Sequence, residues 1–136
     1  MSCHGRPDRA VPSAAGLTLH DGILTVAEVA ERDDGGRDFV FLSACHTHSG
    51  RAIATDEMIS LAAALSYTGW RDTVATLWSV YAERAAVTSE RFYRAVDCDG
   101  SGGSGAVARA LHVAVHALRA EDERPHRWGA FVHIGG

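Results

Sequence analysis

FVFLSAC, residues 39–45, joins an unbroken apolar run to two small residues and a terminal thiol. Aromatic and β-branched residues in such a run are typical of a short strand that is buried on both faces of a parallel sheet. In open α/β sheets, ligands bind at the carboxyl ends of these strands. The sequence therefore predicts a central strand over residues 39–44, with Cys45 at the edge of the sheet where a site would form.

Length and composition predict one globular domain. The 136 residues suffice for a single core, and we place the whole chain, residues 1–136, in one domain. The hydrophobic content of 46% and the charged content of 22% are ordinary for a globular protein. The net charge of −4 does not indicate a nucleic-acid partner, and no apolar run is long enough to span a membrane. The three cysteines are too irregularly spaced for a disulfide framework, which predicts a reducing, cytoplasmic location.

The segments around the central strand alternate between helix and strand patterns. Asp21-Gly22 predicts the turn of a hairpin over residues 17–24, and Thr25 and Glu28 have the spacing of a capping box at the start of a short helix. Farther along, apolar spacing predicts helices over 57–68, 82–96 and 104–118 and strands over 73–78 and 128–134. This alternation predicts an α/β fold in which helices cover a mostly parallel sheet.

Two segments that are far apart in the sequence carry the residue types of a nucleophilic site. Cys45 ends the central strand, and His4 stands between Cys3 and Gly5 near the N-terminus. A neighbouring imidazole lowers the pKa of a thiol and so favours the reactive thiolate. Gly5 allows close approach to its backbone N–H, which together with the N–H of Cys45 would form an oxyanion hole. The alternative is that Cys45 is a small buried hydrophobe, the commonest role of a free cysteine in a core.

Several motifs occur in the order found in CHAT domains, and the chain resembles that family over nearly its whole length. They include Cys-His-Gly at 3–5, FLSACHT at 41–47, Asp-Glu at 56–57, Thr-Leu-Trp at 76–78 and WGAFVHIG at 128–135. CHAT domains resemble caspases and separase, the cysteine peptidases of the caspase-like clan. The resemblance implies a caspase-like three-layer α/β sandwich with a mostly parallel central sheet, and cleavage of peptide bonds through a thioester.

By the same resemblance, Cys45 is the nucleophile and His4 is the catalytic histidine that protonates the leaving amine. The family commonly places an acid that binds a basic substrate residue after its Leu-Trp strand. Glu83 is the nearest acid in this chain, one residue out of register. We expect Trp78, Ser79 and Glu83 to contact a protein or peptide substrate, with packing at the end of a strand as the alternative for Trp78. We expect neither a cofactor nor a metal.

Only three residues precede His4, whereas the family continues well upstream of its His-Gly motif. The resemblance thus implies that the N-terminal strands are missing, with residues 1–16 forming a loop that carries the motif and residues 17–136 forming the core. A sheet without those strands exposes an edge that can pair with another chain. The alternative function is a non-catalytic interaction or regulatory module derived from a CHAT protease, which self-associates through this edge or binds a repeat-containing or signalling partner.

A further alternative is a zinc site. Cys3, His4, Cys45, His46 and His48 offer the thiol and imidazole groups that zinc prefers. Their spacing matches none of the usual zinc motifs, so the sequence favours the protease interpretation.

Overall fold

The structure of the protein, a computed structural model, describes residues 4–6, 16–18, 20–31, 38–43, 45–46, 62–99 and 105–135. Its strands are β1 His4–Arg6, β2 Gly16–Thr18, β3 Ile23–Thr25, β4 Phe39–Phe41, β5 Cys45–His46, β6 Asp72–Thr76, β7 Val80–Tyr81 and β8 Phe131–Gly135. The helices are α1 Val26–Glu31, α2 over 62–67, α3 Ala82–Asp99 and α4 Ala106–Glu121, and a 3₁₀ helix spans Pro125–Arg127.

The main sheet has three described strands in the order β4-β6-β8. The central strand, β6, is buried along its whole length. It pairs in parallel with β4, where Phe41 is opposite Val74, and antiparallel with β8, where Val74 is opposite His133. The predicted mixture of helices and strands is therefore confirmed, but the prediction of a mostly parallel sheet is wrong.

The direction of β8 follows from the two helices that precede it. A single crossover helix returns the chain to the end of the sheet where a parallel strand begins. Here α3 and α4 pack against each other, and the pair brings the chain back to the end where β6 finished. Phe131 consequently lies opposite Thr76, and Gly135 lies opposite Asp72. An alternating apolar pattern identifies a strand without giving its direction, and the two helices predicted over 82–96 and 104–118 lead to an antiparallel strand only if they pack against each other as a pair.

Apolar clusters cover both faces of the main sheet. Phe39 and Phe41 alternate with Val40 and Leu42 along the chain, so the two pairs point to opposite faces. The two phenylalanines pack with residues of α3 and α4, including Phe92, which is fully buried. Val40 and Leu42 belong to a second cluster that α1 and α2 complete. Helices therefore lie against each face.

The first three strands of the chain form a separate antiparallel sheet in the order β1-β2-β3. Leu17 in β2 is opposite Gly5 on one side and Leu24 on the other. The predicted hairpin over residues 17–24 is confirmed, although β2 ends at Thr18 and β3 begins at Ile23, a longer connection than a two-residue turn. The segment 1–16, which was expected to be a loop, contains β1.

The capping box at the start of α1 is confirmed. The Glu28 N–H donates a hydrogen bond to Thr25 Oγ1 at 3.1 Å, and the Thr25 N–H donates to Glu28 Oε2 at 2.7 Å. These reciprocal bonds satisfy backbone donors that the first turn of a helix leaves unpaired. The cap directs α1 onto the main sheet, where Val26 is buried against Leu42 and Leu65.

The other predicted elements are present with shifted ends. The helix expected over 82–96 ends at Asp99, and the one expected over 104–118 ends at Glu121. The strand expected over 73–78 is β6, and the one expected over 128–134 is β8. The helix expected over 57–68 is described over 62–67, and residues 57–61 lie outside the described residues. Among the helices that the structure describes, none has the length and apolar character needed to cross a membrane.

The central strand differs most from its prediction over 39–44. β4 ends at Phe41, although the Leu42 N–H still donates a hydrogen bond to the Val74 carbonyl oxygen at 2.8 Å. Cys45 does not simply follow a strand end, because it is the first residue of β5.

Candidate active-site cleft

Parallel pairing resumes beyond the main sheet, between β5 and β7. Cys45 is opposite Val80, and His46 is opposite Tyr81. β5 follows the carboxyl end of β4 and β7 follows that of β6, so this pair lies at the edge where ligands bind in open α/β sheets. Since paired strands are roughly 4.8 Å apart, the backbone of Cys45 is one strand spacing from Val80.

A cleft of about 180 Å³ opens beside β7. Its walls come from the β6–β7 connection, β7, the first turn of α3 and the 3₁₀ helix, and its lining residues are Trp78, Ser79, Val80, Tyr81, Arg84, His126 and Arg127. The Trp78 side chain is partly exposed, and its Nε1–H donates a hydrogen bond to the His126 carbonyl oxygen at 3.1 Å. This bond joins two walls of the cleft that are far apart in the sequence.

Three arginines around the cleft converge on the carboxylate of Asp122, whose side chain is 8% exposed. Arg124 binds both oxygens, with Nε 2.8 Å from Oδ1 and Nη2 2.9 Å from Oδ2. Arg127 and Arg84 form longer ion pairs with Oδ2, at 3.4 Å and 3.7 Å. The hydrogen bonds from Arg124, supported by the charges of Arg124 and Arg127, hold the pKa of Asp122 far below its usual value. Asp122 is therefore a fixed negative charge at neutral pH.

The neighbouring carboxylate, Glu121, has its own closest arginine. Arg91 Nη2 donates to Glu121 Oε1, whereas Arg84 lies 3.9 Å from Oε2. The Nε of Arg127 is buried, and its 3.4 Å contact with Asp122 Oδ2 lacks the geometry of a hydrogen bond. The Arg127 guanidinium lies 5.9 Å from the centre of the Tyr81 ring, an arrangement that stabilises the cation. Two arginines of the cleft wall, Arg84 and Arg127, thus contact carboxylates only at ion-pair distance.

The predicted catalytic residues lie in different sheets. His4 is opposite Thr18 in the β1–β2 pair and Gly5 is opposite Leu17, whereas Cys45 is in β5. The side chains of His4 and Cys45 lie outside the described residues. The His4–Cys45 dyad and the oxyanion hole formed by the N–H groups of Gly5 and Cys45 therefore stay predictions.

Two of the three predicted substrate-binding residues line the cleft, and the third is exposed to solvent. Trp78 and Ser79 line the cleft, whereas Glu83 is exposed in the first turn of α3 and is not part of the lining. At 100° per residue, Glu83 lies on the side of α3 opposite Phe92, which faces the sheet. A role for Glu83 in substrate binding remains a prediction.

Sequence reasoning missed Arg84 and Arg127 as cleft residues. The apolar spacing of α3 gave no signal for Arg84; the structure shows that it lies one turn before the buried Thr88, on nearly the same side of the helix. No local pattern identifies Arg127, which reaches the cleft because the chain folds back from α4 beside β7. The same fold-back brings Asp122 to Arg84, 38 positions earlier in the numbering of the sequence.

The zinc hypothesis is not tested by this geometry. No group of three or more potential metal ligands occurs among the residues that the structure describes. Two members of the proposed set, Cys3 and His48, lie outside those residues, and only the backbone is described for His4, Cys45 and His46.

Comparison with known protein families shows which family the chain belongs to. The family model of the CHAT domain matches residues 1–136, the full length of the sequence. The chain belongs to the CHAT domain family. CHAT domains are related to caspase-like proteases, so the membership agrees with the resemblance carried by the Cys-His-Gly and Leu-Ser-Ala-Cys motifs. A search of curated proteins gave no match to this CHAT domain.

Proposed function

We propose that this CHAT domain is a cysteine endopeptidase of the caspase-like kind, with Cys45 as the nucleophile and His4 as its partner. The observation that carries the proposal is the register of the β5–β7 pair. Cys45 stands opposite Val80, and Val80 lines the cleft. A peptide whose side chain occupies the cleft would have its backbone near β5, where the thiol must act.

The reaction follows from the chemistry of the two residues. The Cys45 thiolate attacks the carbonyl carbon of the scissile bond, and the N–H groups of Gly5 and Cys45 bind the oxyanion. His4 donates a proton to the amine as the C–N bond breaks, which leaves a thioester on Cys45. Water then hydrolyses the thioester, releases the carboxylate product and restores the thiol. The cycle uses no cofactor, and a reactive thiol fits the reducing cytoplasm in which we expect the protein to act.

The finer fold assignment is part of the same proposal. We assign the domain a caspase-like three-layer sandwich, in which the main sheet is the middle layer. Support comes from the family membership and from the apolar clusters that bind helices to both faces of the sheet. Among the described strands, the antiparallel β8 lies at one edge of that sheet and β4 lies at the other.

Covalent labelling tests the proposal. A peptide acyloxymethyl ketone, with mass-spectrometric mapping of the modified residue, should label Cys45 and leave Cys3 and Cys98 unmodified. His4→Ala should lower the labelling rate roughly 100-fold or more, the usual contribution of a general acid or base. His20→Ala is the matched control, because His20 is an exposed histidine in the connection between β2 and β3. Labelling of His4→Ala at the wild-type rate would refute the dyad.

One observation favours the interaction module as a second candidate function. β4 is the outer strand in the order β4-β6-β8, and its outward edge has no partner strand in the described part of the chain. Such an edge can accept a strand from a second copy or from a partner domain. This function predicts concentration-dependent assembly in sedimentation experiments and no hydrolysis of a peptide library. A monomer that hydrolyses peptides would exclude it.

A further inference from the structure

The cleft beside β7 has charges that indicate the kind of substrate residue it accepts. We infer that it binds a carboxylate side chain, so that the peptidase cleaves next to Asp or Glu; this inference rests on the proposed function. The family resemblance implied the opposite charge for the substrate residue, because an acid at the position of Glu83 would bind a basic side chain. The lining that the structure describes contains Arg84 and Arg127 and no acid.

The charge balance around the cleft is positive. Among the residues that the structure describes, four guanidinium groups and two carboxylates form the network, which leaves two positive charges in excess; its members are Arg84, Arg91, Arg124, Arg127, Glu121 and Asp122. Arg124 and Arg91 make the hydrogen bonds to the two carboxylates. The excess charge is therefore on Arg84 and Arg127, the two arginines that line the cleft.

These two guanidinium groups are positioned to bind an anion. Their side chains are 23% and 29% exposed, so they are partly shielded from water, and an incoming carboxylate would meet a weakly screened charge. The Arg127 Nε lies 3.4 Å from Asp122 Oδ2 without the geometry of a hydrogen bond, and Arg84 is 3.7 Å from the same oxygen. A carboxylate in the cleft would add a second anion to these two arginines.

The start of α3 adds to the same potential. α3 begins at Ala82, beside Tyr81 and Arg84 in the cleft wall, and the first N–H groups of a helix carry partial positive charge. Glu83 is the acid in that first turn, but it is exposed and outside the lining. The cleft has a volume of about 180 Å³, which a short side chain can occupy.

Binding of short peptides to Cys45→Ala protein tests the inference without any need for turnover. Three acetylated tetrapeptide amides, Ac-Ala-Ala-Ala-Asp, Ac-Ala-Ala-Ala-Asn and Ac-Ala-Ala-Ala-Arg, differ only in the last residue. Binding is followed through the ¹⁵N indole signal of Trp78, whose N–H lies in the cleft wall. The Asp peptide should bind roughly 10- to 100-fold more tightly than the Asn peptide, because a charge-assisted hydrogen bond is replaced by a neutral one. Equal binding of the two, or tighter binding of the Arg peptide, would overturn the inference.

Substitutions in the wall identify the cations. Arg84→Gln and Arg127→Gln should each weaken binding of the Asp peptide about tenfold and leave the Asn peptide unaffected. Arg94→Gln is the control, because Arg94 is 77% exposed, pairs with Glu90 and does not line the cleft. If circular dichroism shows that either cleft variant does not fold, the comparison of Asp and Asn peptides in Cys45→Ala protein still tests the inference.

The labelling experiment separates this inference from the proposed function. A preference of Cys45→Ala protein for the Asp peptide, together with failure of electrophilic probes to label Cys45 in the wild type, would refute the peptidase and leave an acid-binding cleft. Labelling of Cys45 that is fastest with an Arg probe would support the peptidase and refute the acidic specificity.

Discussion

Replacement of Phe92 by alanine should destabilise the domain severely. Phe92 is fully buried on α3, and its ring centroid lies 5.5 Å from that of Phe39 and 5.0 Å from that of Phe41. Truncation of a buried phenylalanine costs about 3–5 kcal/mol, because apolar contact is lost and a cavity remains. The two ring pairs with β4 place the expected cost in the upper half of that range, about 4–5 kcal/mol. A loss of this size is a large part of the 5–15 kcal/mol that stabilises a typical domain.

Urea unfolding followed by far-ultraviolet circular dichroism measures the effect of Phe92→Ala. The midpoint should fall strongly while the dependence of the unfolding free energy on urea concentration stays unchanged. Tyr67→Ala is the control, because Tyr67 is 92% exposed and its truncation should change the free energy of unfolding by less than about 0.5 kcal/mol. A cost for Phe92→Ala below about 1.5 kcal/mol would mean that α3 does not cover this face of the sheet, since it falls well short of the range for buried aromatic residues.

Two further predictions concern the end of β8 and the arginine network around Asp122. Gly135→Ala should destabilise by about 1–3 kcal/mol, because Gly135 has a φ of 138° and a Cβ there would collide with the Arg71 carbonyl oxygen. Gly22→Ala, where a Cβ meets nothing within 4 Å, should be nearly neutral, and equal urea midpoints for the two variants would contradict the β6–β8 register. Asp122→Asn tests the arginine network through pH. Because the pKa of Asp122 is lower in the folded state, its carboxylate stabilises the fold above the unfolded value of about 4, and this contribution disappears as pH falls toward the folded value. The difference in urea midpoint between wild type and Asp122→Asn should therefore be constant from pH 5 to 8 and shrink below about pH 4, and a constant difference down to acidic pH would refute the network.

Local patterns predicted the elements whose formation depends on neighbouring residues. The capping box of Thr25 and Glu28 appeared as the spacing indicates, because both partners lie within one turn. The helices α3 and α4 were predicted by apolar spacing, and only their ends differed. Helix ends depend on contacts such as the ion pair of Glu121 with Arg91, which apolar spacing does not reveal.

Features that depend on distant contacts could not be predicted in the same way. The direction of β8 is a consequence of how α3 and α4 pack as a pair, and a strand pattern is the same in both directions. The cleft was predicted in part, since Trp78 and Ser79 line it. The charge of the cleft was not predicted, because Asp122 and Arg127 lie between the helix predicted over 104–118 and the strand predicted over 128–134, where no element or motif was predicted. This segment forms a wall of the site because the fold brings it beside β7, and no sequence motif indicates that contact.

The pH dependence of thiol alkylation measures most directly whether a histidine activates Cys45. Wild-type and His4→Ala proteins are treated with iodoacetamide over a series of pH values, and the modification of Cys45 and Cys98 is followed separately by mass spectrometry, so that Cys98 serves as the internal reference. In the wild type, Cys45 should reach half of its maximal alkylation rate at a lower pH than Cys98, because an adjacent imidazole favours the thiolate. In His4→Ala, the Cys45 profile should move upward while the Cys98 profile stays in place. Cys45 profiles that coincide in the two proteins would contradict the proposed partnership of His4 with Cys45.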